Sequence, residues 1–502
     1  MPCVVLNNNR GKVGWSTHLF FILWFLGMAT IGYSQSAIGN VRLAYDDVLL
    51  LKLEPARERL SSMSPAPSEL PLYVYTENLA DVLELILTED RELYAAMKDG
   101  ERQRLKQLQA IPDNNPYKEF CIAEVRLQWA FVKLKFGDTM SATWGLTQAY
   151  RAIHRNEQRF FDFMPNKKTL GLINSVLGAV PQQYHWLLGI LGLKGSSVEG
   201  KAQLASVASS GGLFSLEAQL MLHLIDIYLL EGRKETQQKF GVLANKTRDN
   251  KLIQYLYAMI LIKTNEAETA LSMLETMDNL SDEYLFIPMM DYLKGEVYLQ
   301  KGKYGHSDTH FNAFLSSYKG DNFVKDSYYK LFLSKWLSGD DQQAKLYFEL
   351  AKKKGTTSAE ADKYAARQVA INVWPERTIM KIRLATDGGY YTQAETLVNA
   401  RTEVDYQTLQ DQVEFVYRKA RLYDKQEKEN EAVKLYLETI ARSGENPWYY
   451  APNAALQLGY YYRQKGNLEA SKTYFEKALS YEGHEYKNSI DHKAKIALQE
   501  MQ

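Results

Sequence analysis

The sequence predicts an all-α chain built as a solenoid of antiparallel helical hairpins. Three observations carry that expectation. Small and aromatic residues recur at fixed offsets near the C-terminus: Gly459 is followed by Tyr462, Gly466, Ser471, Phe475 and Ala478. No run of alternating β-branched residues argues for a sheet. At 502 residues the chain is too long for one compact core, while 34 Tyr against 13 Pro suits stacked hairpins with aromatic seams.

The offsets in 452–483 have a physical reading. Gly459 and Ser471 are small where two helices cross closely, Gly466 supplies the turn between them, and Tyr462, Phe475 and Ala478 fill the seam. This stretch resembles a tetratricopeptide (TPR) repeat, a helical hairpin with a period of about 34 residues. The resemblance implies a right-handed superhelical solenoid whose first helices line a concave groove.

Weaker copies of the pattern precede it. Anchors at Ile225, Ala258, Gly295, Phe332, Ile382 and Ala420 lead to Gly459, and Gly295 gives the best internal match through Tyr298, Gly302, Ser307 and Phe311. In the Ala420 unit the turn position holds Glu427 instead of glycine, and in the Ile225 unit it is Gly232. The wide gap before Ile382 contains SAEADKYAARQ and NVWPERT, which predict an extra helix and a proline-marked break. Residues 211–502 are therefore expected to form the repeat solenoid, closed by a capping helix over 489–502 with a polar outer face.

Residues 35–210 are expected to be irregular hairpins of the same array. Ala130 leads to Gly137, Ala142 and Ala149, and Ala44 leads to Ala56 and Leu60. SSMSPAPSELP (61–71) and Asp113-Asn114-Asn115-Pro116 predict breaks. Ahead of them, 19–31 is an apolar run with Arg10 and Lys12 upstream and Gly32-Tyr33-Ser34 after it. Residues 1–34 thus read as a secretory signal peptide, and 13 apolar residues are short for a bilayer span. A retained anchor is the alternative. The repeat content resembles exported TPR proteins of Gram-negative bacteria, which implies the periplasm or the outer surface.

Composition narrows the function classes. Basic and acidic residues number 60 each, and removing 1–34 leaves 58 against 60, so nucleic acid finds no electrostatic hold. Of two cysteines, Cys3 falls in the signal segment and Cys121, within CIAEVRLQWAF, reads as a small core residue. His306 and His310 share a helix face without the glutamate of a zinc protease motif or a third ligand. LGLKGSS (191–197) lacks the order of a phosphate loop, and Asp387-Gly388-Gly389 reads as a hairpin turn. No cofactor, metal or catalytic residue is proposed by the sequence, so the chain is expected not to be an enzyme.

Two surfaces remain as binding candidates. Carried over by register from the TPR resemblance, the groove-facing residues are Tyr292, Glu296, Tyr329, Trp336, Tyr417, Arg421, Tyr460 and Arg463. The alternative for the tyrosines is packing between hairpins. The asparagine/lysine clamp that some family members use for a C-terminal carboxylate is unmatched, because Lys330, Arg418 and Gln457 stand at its asparagine positions. The second candidate is GLINSVLGAVPQQYHWLLGILGLKG (171–195), either a Gly-rich buried helix pair or a hydrophobic docking surface for a partner or membrane. The leading functional expectation is a non-enzymatic envelope scaffold that binds a protein or peptide in the groove. A glycan- or small-ligand-binding envelope protein and a membrane-docking adaptor through 171–195 are the alternatives.

Overall fold

The anchor spacing becomes a repeated conformational and hydrogen-bonding device in the computed structural model, which describes residues 35–179, 188–189, 191–228 and 233–501. The turn position seven residues after each anchor adopts a left-handed backbone: Gly137, Asn265, Gly302, Gly339, Gly389, Glu427 and Gly466 all have positive φ. That conformation reverses the chain between two helices, and it favours glycine because a Cβ crowds the following carbonyl. Twelve residues after the anchor, Ser307 Oγ donates to the Gly295 carbonyl at 2.9 Å and Ser471 Oγ donates to the Gly459 carbonyl at 2.8 Å. Each of these hairpins is stitched at its closest approach. A Cβ on Gly459 would sit 2.5 Å from the Phe475 ring, so the anchor must be small.

The hairpins follow in order. Gln35–Leu50 pairs with Leu53–Ser61, and Leu70–Thr88 is followed by Arg91–Met97 and Gly100–Gln109. Pro116–Lys135 pairs with Thr139–Arg159, Asn166–Gly178 with Ser197–Ala208, and Ser215–Tyr228 with Arg233–Lys246. Hairpins 251–277, 289–317 and 324–353 precede an additional helix, Glu360–Ile371. Hairpins 377–399, 409–443 and 450–480 complete the array, and Lys487–Gln499 closes it. The closing helix begins two residues before the expected 489 and lays Ile490, Ala494 and Ala497 over the Phe475 seam. All described elements are helical. The signal segment 1–34, the Pro181–His185 interruption and the Gly232 turn lie outside the described residues.

The apolar core runs without a break from Tyr45 to Met380, across residue 210, and smaller cores then succeed one another to Ala497. Helices Asn166–Gly178 and Ser197–Ala208 cross at glycine: a Cβ on Gly200 would lie 2.6 Å from the Gly171 carbonyl. Gly171, Ile173, Asn174, Ser175 and Leu177 are buried at this crossing, whose second helix lies beyond residue 195 and not within 171–195. Among the described residues no helix is long and apolar enough to cross a membrane. Cys121 is buried, and burial pushes its thiol well above the ordinary range.

The array does not run straight. Leu285 N–H donates to the Leu51 carbonyl at 2.8 Å, and Lys52 pairs with Glu283 at 2.9 Å. Further along, Asn322 donates to Glu89 at 2.6 Å, Lys319 pairs with Asp90 at 3.2 Å, and Arg91 pairs with Asp321. The first hairpins thus fold back onto loops more than 200 residues later in the chain. That closure brings the first helices of the N-terminal hairpins together and fills the space between them.

Asp362 fixes the additional helix to the array. Its carboxylate accepts the Phe323 and Asp326 N–H groups at 2.7 and 2.9 Å, at the N-terminus of helix Val324–Ser338. Burial pushes its carboxyl up from 3.8 to about 6, with Asp326 adding to the rise and the two amides and Lys325 opposing it.

Two predictions follow from this architecture. Gly466 has open space where a Cβ would go, so Gly466→Ala tests the backbone alone. Its unfolding free energy should fall by ~1 kcal/mol in urea titration; an unchanged midpoint would mean that the turn tolerates a side chain. For Asp362, the folded pKa lies above the unfolded one. Its stabilising contribution is therefore full below pH about 4 and lost as pH rises through about 6. Relative to Asp362→Asn, the wild-type chain should lose up to ~3 kcal/mol between pH 4 and 7; a pH-independent difference would contradict this.

Candidate functional site

The sequence-derived groove residues fall into separate environments. Tyr292, Tyr329 and Tyr417 are buried and pack between hairpins, which is the alternative reading of those positions. Tyr292 lies edge-on to Phe311, Phe314 and Phe323, and its hydroxyl donates to Asp326 at 2.6 Å. Tyr329 packs on Phe332 and Tyr364. With so little exposed surface, these tyrosines offer little to a partner in this structure.

The remaining candidates reach the surface but are engaged locally. Glu296 pairs with Lys330 at 3.2 Å. The Trp336 indole donates to the Pro375 carbonyl at 2.9 Å, and the Arg377 guanidinium stacks 3.5 Å from its ring centroid. Arg421 pairs with Asp424 at 3.3 Å. Tyr460 packs on Phe475 and lines a cleft of about 340 Å³ with Asp424 and Tyr436, while Arg463 pairs with Glu500 at 2.7 Å. Tyr292 and Glu296 both meet the Lys330 ammonium, Tyr417 lies beside Arg421, and Arg463 lies 5.3 Å over the Tyr460 ring.

The clamp positions that depart from the family pattern each have a partner within their own helix, and Lys330 and Arg418 have further ones outside it. Lys330 pairs with Asp326 at 3.0 Å, Arg418 with Glu414 at 2.6 Å, and the Gln457 amide donates to Asn453 at 3.5 Å. Each partner lies four residues earlier, so the same spacing gives an acceptor–donor couple in three hairpins, 324–353, 409–443 and 450–480. These side chains are occupied before any peptide arrives.

One face gathers polar groups that are less completely matched. Arg383 donates to the Tyr364 hydroxyl at 2.7 Å and only approaches Asp387, at 3.7 Å. Arg418 donates to the Tyr449 hydroxyl at 2.6 Å, and Tyr450 donates to Glu414 at 2.8 Å. Tyr449 meets Tyr486 edge-on with centroids 5.1 Å apart, and Arg367 lies 5.6 Å over the Tyr486 ring. Contact between Arg367 and Tyr486, on either side of three hairpins, shows that the array curves around this face. Arg367 is exposed and Arg383 half-buried, so the face holds arginine charge beyond what Glu414 and Asp387 offset. The set is scattered along the chain: Arg383 and Arg418 lie mid-helix in Arg377–Asp387 and Leu409–Lys425, Tyr449 and Tyr486 are N-caps, and Tyr364 and Arg367 lie on the additional helix. The one signal was Arg418 at a clamp position.

The candidate metal pair is accounted for by local contacts. His306 and His310 both stack on Tyr298, and His310 Nδ1 lies 2.8 Å from Asp291. Among the described residues no group of three or more His, Cys, Asp or Glu could hold a metal ion.

Stitched hairpins, left-handed turns and a curved inner face define an all-α helical-repeat protein. Residues 452–484 match the family model described as "Tetratricopeptide repeat". Solved structures similar to the chain include the P58(IPK) TPR domain, at 18% identity, covering 84% of this chain and 99% of that one, with a TM-score of 0.22. Another is the apo form of the quorum sensor NprR from B. thuringiensis, at 14% identity, 88% and 97% coverage, and a TM-score of 0.27. No curated protein matches the chain.

Proposed function

We propose that the chain is a non-enzymatic scaffold of the bacterial cell envelope that holds an acidic segment of a protein partner on its C-terminal inner face. The observation that carries this reading is the arginine–tyrosine set of Arg367, Arg383, Arg418, Tyr364, Tyr449 and Tyr486. Guanidinium groups recognise carboxylates through paired N–H donors, and Arg and Tyr dominate interface energies. Tyrosine hydroxyls hold Arg383 and Arg418 in place, which lowers the ordering cost of binding. Tyr460 and Arg463, beyond this set, extend the same surface toward the closing helix. Export to the periplasm or outer surface is supported by the charged, apolar and small-residue order of 1–34.

Charge reversal tests the face. In an array of acidic, neutral and basic peptides, the full chain should retain acidic ones, with affinity falling as salt rises. Arg367→Glu combined with Arg383→Glu should weaken that binding at least tenfold while leaving the circular dichroism spectrum unchanged. Equal retention of basic peptides, or unchanged binding by the double variant, would refute the proposal.

A further inference from the structure

A second site lies at the fold-back junction, on the other side of the array from the arginine face in sequence. The loop between helices Ala267–Met277 and Met289–Gln300 arches toward the first hairpin and encloses a cleft of about 500 Å³. Leu285 N–H to the Leu51 carbonyl and Lys52 to Glu283 hold one end of this loop, and the Tyr284 hydroxyl donates to the Asp249 carbonyl at 3.0 Å. Leu53, Met277, Ile287 and Met290 supply an apolar floor.

Most charged groups of the cleft are already matched. Glu54 and Glu84 both bind Arg57, at 2.7 and 2.5 Å. Asp278 pairs with Lys294, Glu283 with Lys52, and Asp291 with His310. Asp282 is exposed at the rim, and Lys251 is the one buried exception among the lining residues. Its side chain lines the cleft at 7% exposure, yet it makes no hydrogen bond or ion pair. Three features make an unmatched ammonium costly there. Its stem is buried while the ammonium reaches the cleft, Lys294 lies nearby, and it occupies the first position of helix Lys251–Lys263, where the helix dipole is positive. Burial pulls its amine below the ordinary lysine range and Lys294 adds to this, against Asp278.

We infer that this cleft binds a small monocarboxylate with an apolar body, its carboxylate seated on Lys251 and its body on Leu53, Met277, Ile287 and Met290. A single lysine matches one negative charge. The exposed carboxylates of Glu54, Asp282 and Glu283 at the rim disfavour dianions such as phosphate.

The test uses the full wild-type chain, limiting treatment with an amine-acylating reagent, and mass spectrometry of each lysine. Saturating hexanoate should slow acylation of Lys251 at least threefold and leave the exposed Lys472 unchanged. Inorganic phosphate at equal ionic strength should protect neither. Hexanoate should also raise the thermal midpoint of the wild-type chain and not that of Lys251→Met. No selective protection of Lys251 would overturn the inference, and protection by phosphate equal to that by hexanoate would overturn the carboxylate assignment. Peptide-array binding is read separately, so failure here is distinguishable from failure of the scaffold proposal.

Discussion

A single buried ammonium organises the N-terminal half. Lys168 is fully buried and donates to Glu124 at 3.0 Å, to Glu217 at 2.9 Å and to the Tyr75 hydroxyl at 2.8 Å. Tyr45 also donates to Glu217, at 2.6 Å, and Thr169 donates to Glu124. Burial alone would pull the lysine down, but Glu124 and Glu217 outweigh it and hold the amine above its ordinary value. The rings of Tyr75, Phe120 and Phe214 surround the charge at 4.9 to 5.8 Å. These groups come from the first helices of successive hairpins, with Phe214 just ahead of the last. A fully matched buried charge has little net worth for stability but strongly disfavours any arrangement that separates its partners. Lys168 therefore acts as a register pin for the closed end of the solenoid.

The pin sits in a longer polar chain. Gln128 donates to Glu124, Asn78 to Gln128, and both Trp129 and Arg104 to Asn78. Arg104 and Arg57 share Asp81. Side chains thus fill the space between the first helices of the N-terminal hairpins. The two proposed binding places lie elsewhere: the arginine face, where the C-terminal hairpins curve, and the cleft at the fold-back loops.

Local features of the fold were legible in the sequence because they are repeated. The Gly459 offsets identify the helix crossing, the left-handed turn and the seam, and the same offsets locate the turn at Glu427 although glycine is absent there. The additional helix before Ile382 follows from its helical composition and the proline break after it. Long-range features were not legible. Lys168 stands beside Lys167 and Asn166 and looks like a solvated position, while its carboxylate partners lie 44 and 49 residues away. Glu124 within CIAEVRLQWAF and Glu217 within an apolar helix were the available signals, each an acid on a face otherwise committed to burial. Burial of Tyr292, Tyr329 and Tyr417 was not legible for a related reason. Register gives the face of a helix relative to its own partner, whereas the curvature of the array decides which face is inner.

Hydrogen exchange of Lys168→Met, followed by mass spectrometry under native conditions, tests the central claim most directly. Removing the cation leaves Glu124 and Glu217 buried without their counter-charge. Protection should fall together in helices Gln35–Leu50, Leu70–Thr88, Pro116–Lys135, Asn166–Gly178 and Ser215–Tyr228, with 409–499 unchanged. Loosening confined to the hairpin that carries residue 168 would contradict the account, since the first helices would then be held by their neighbours alone.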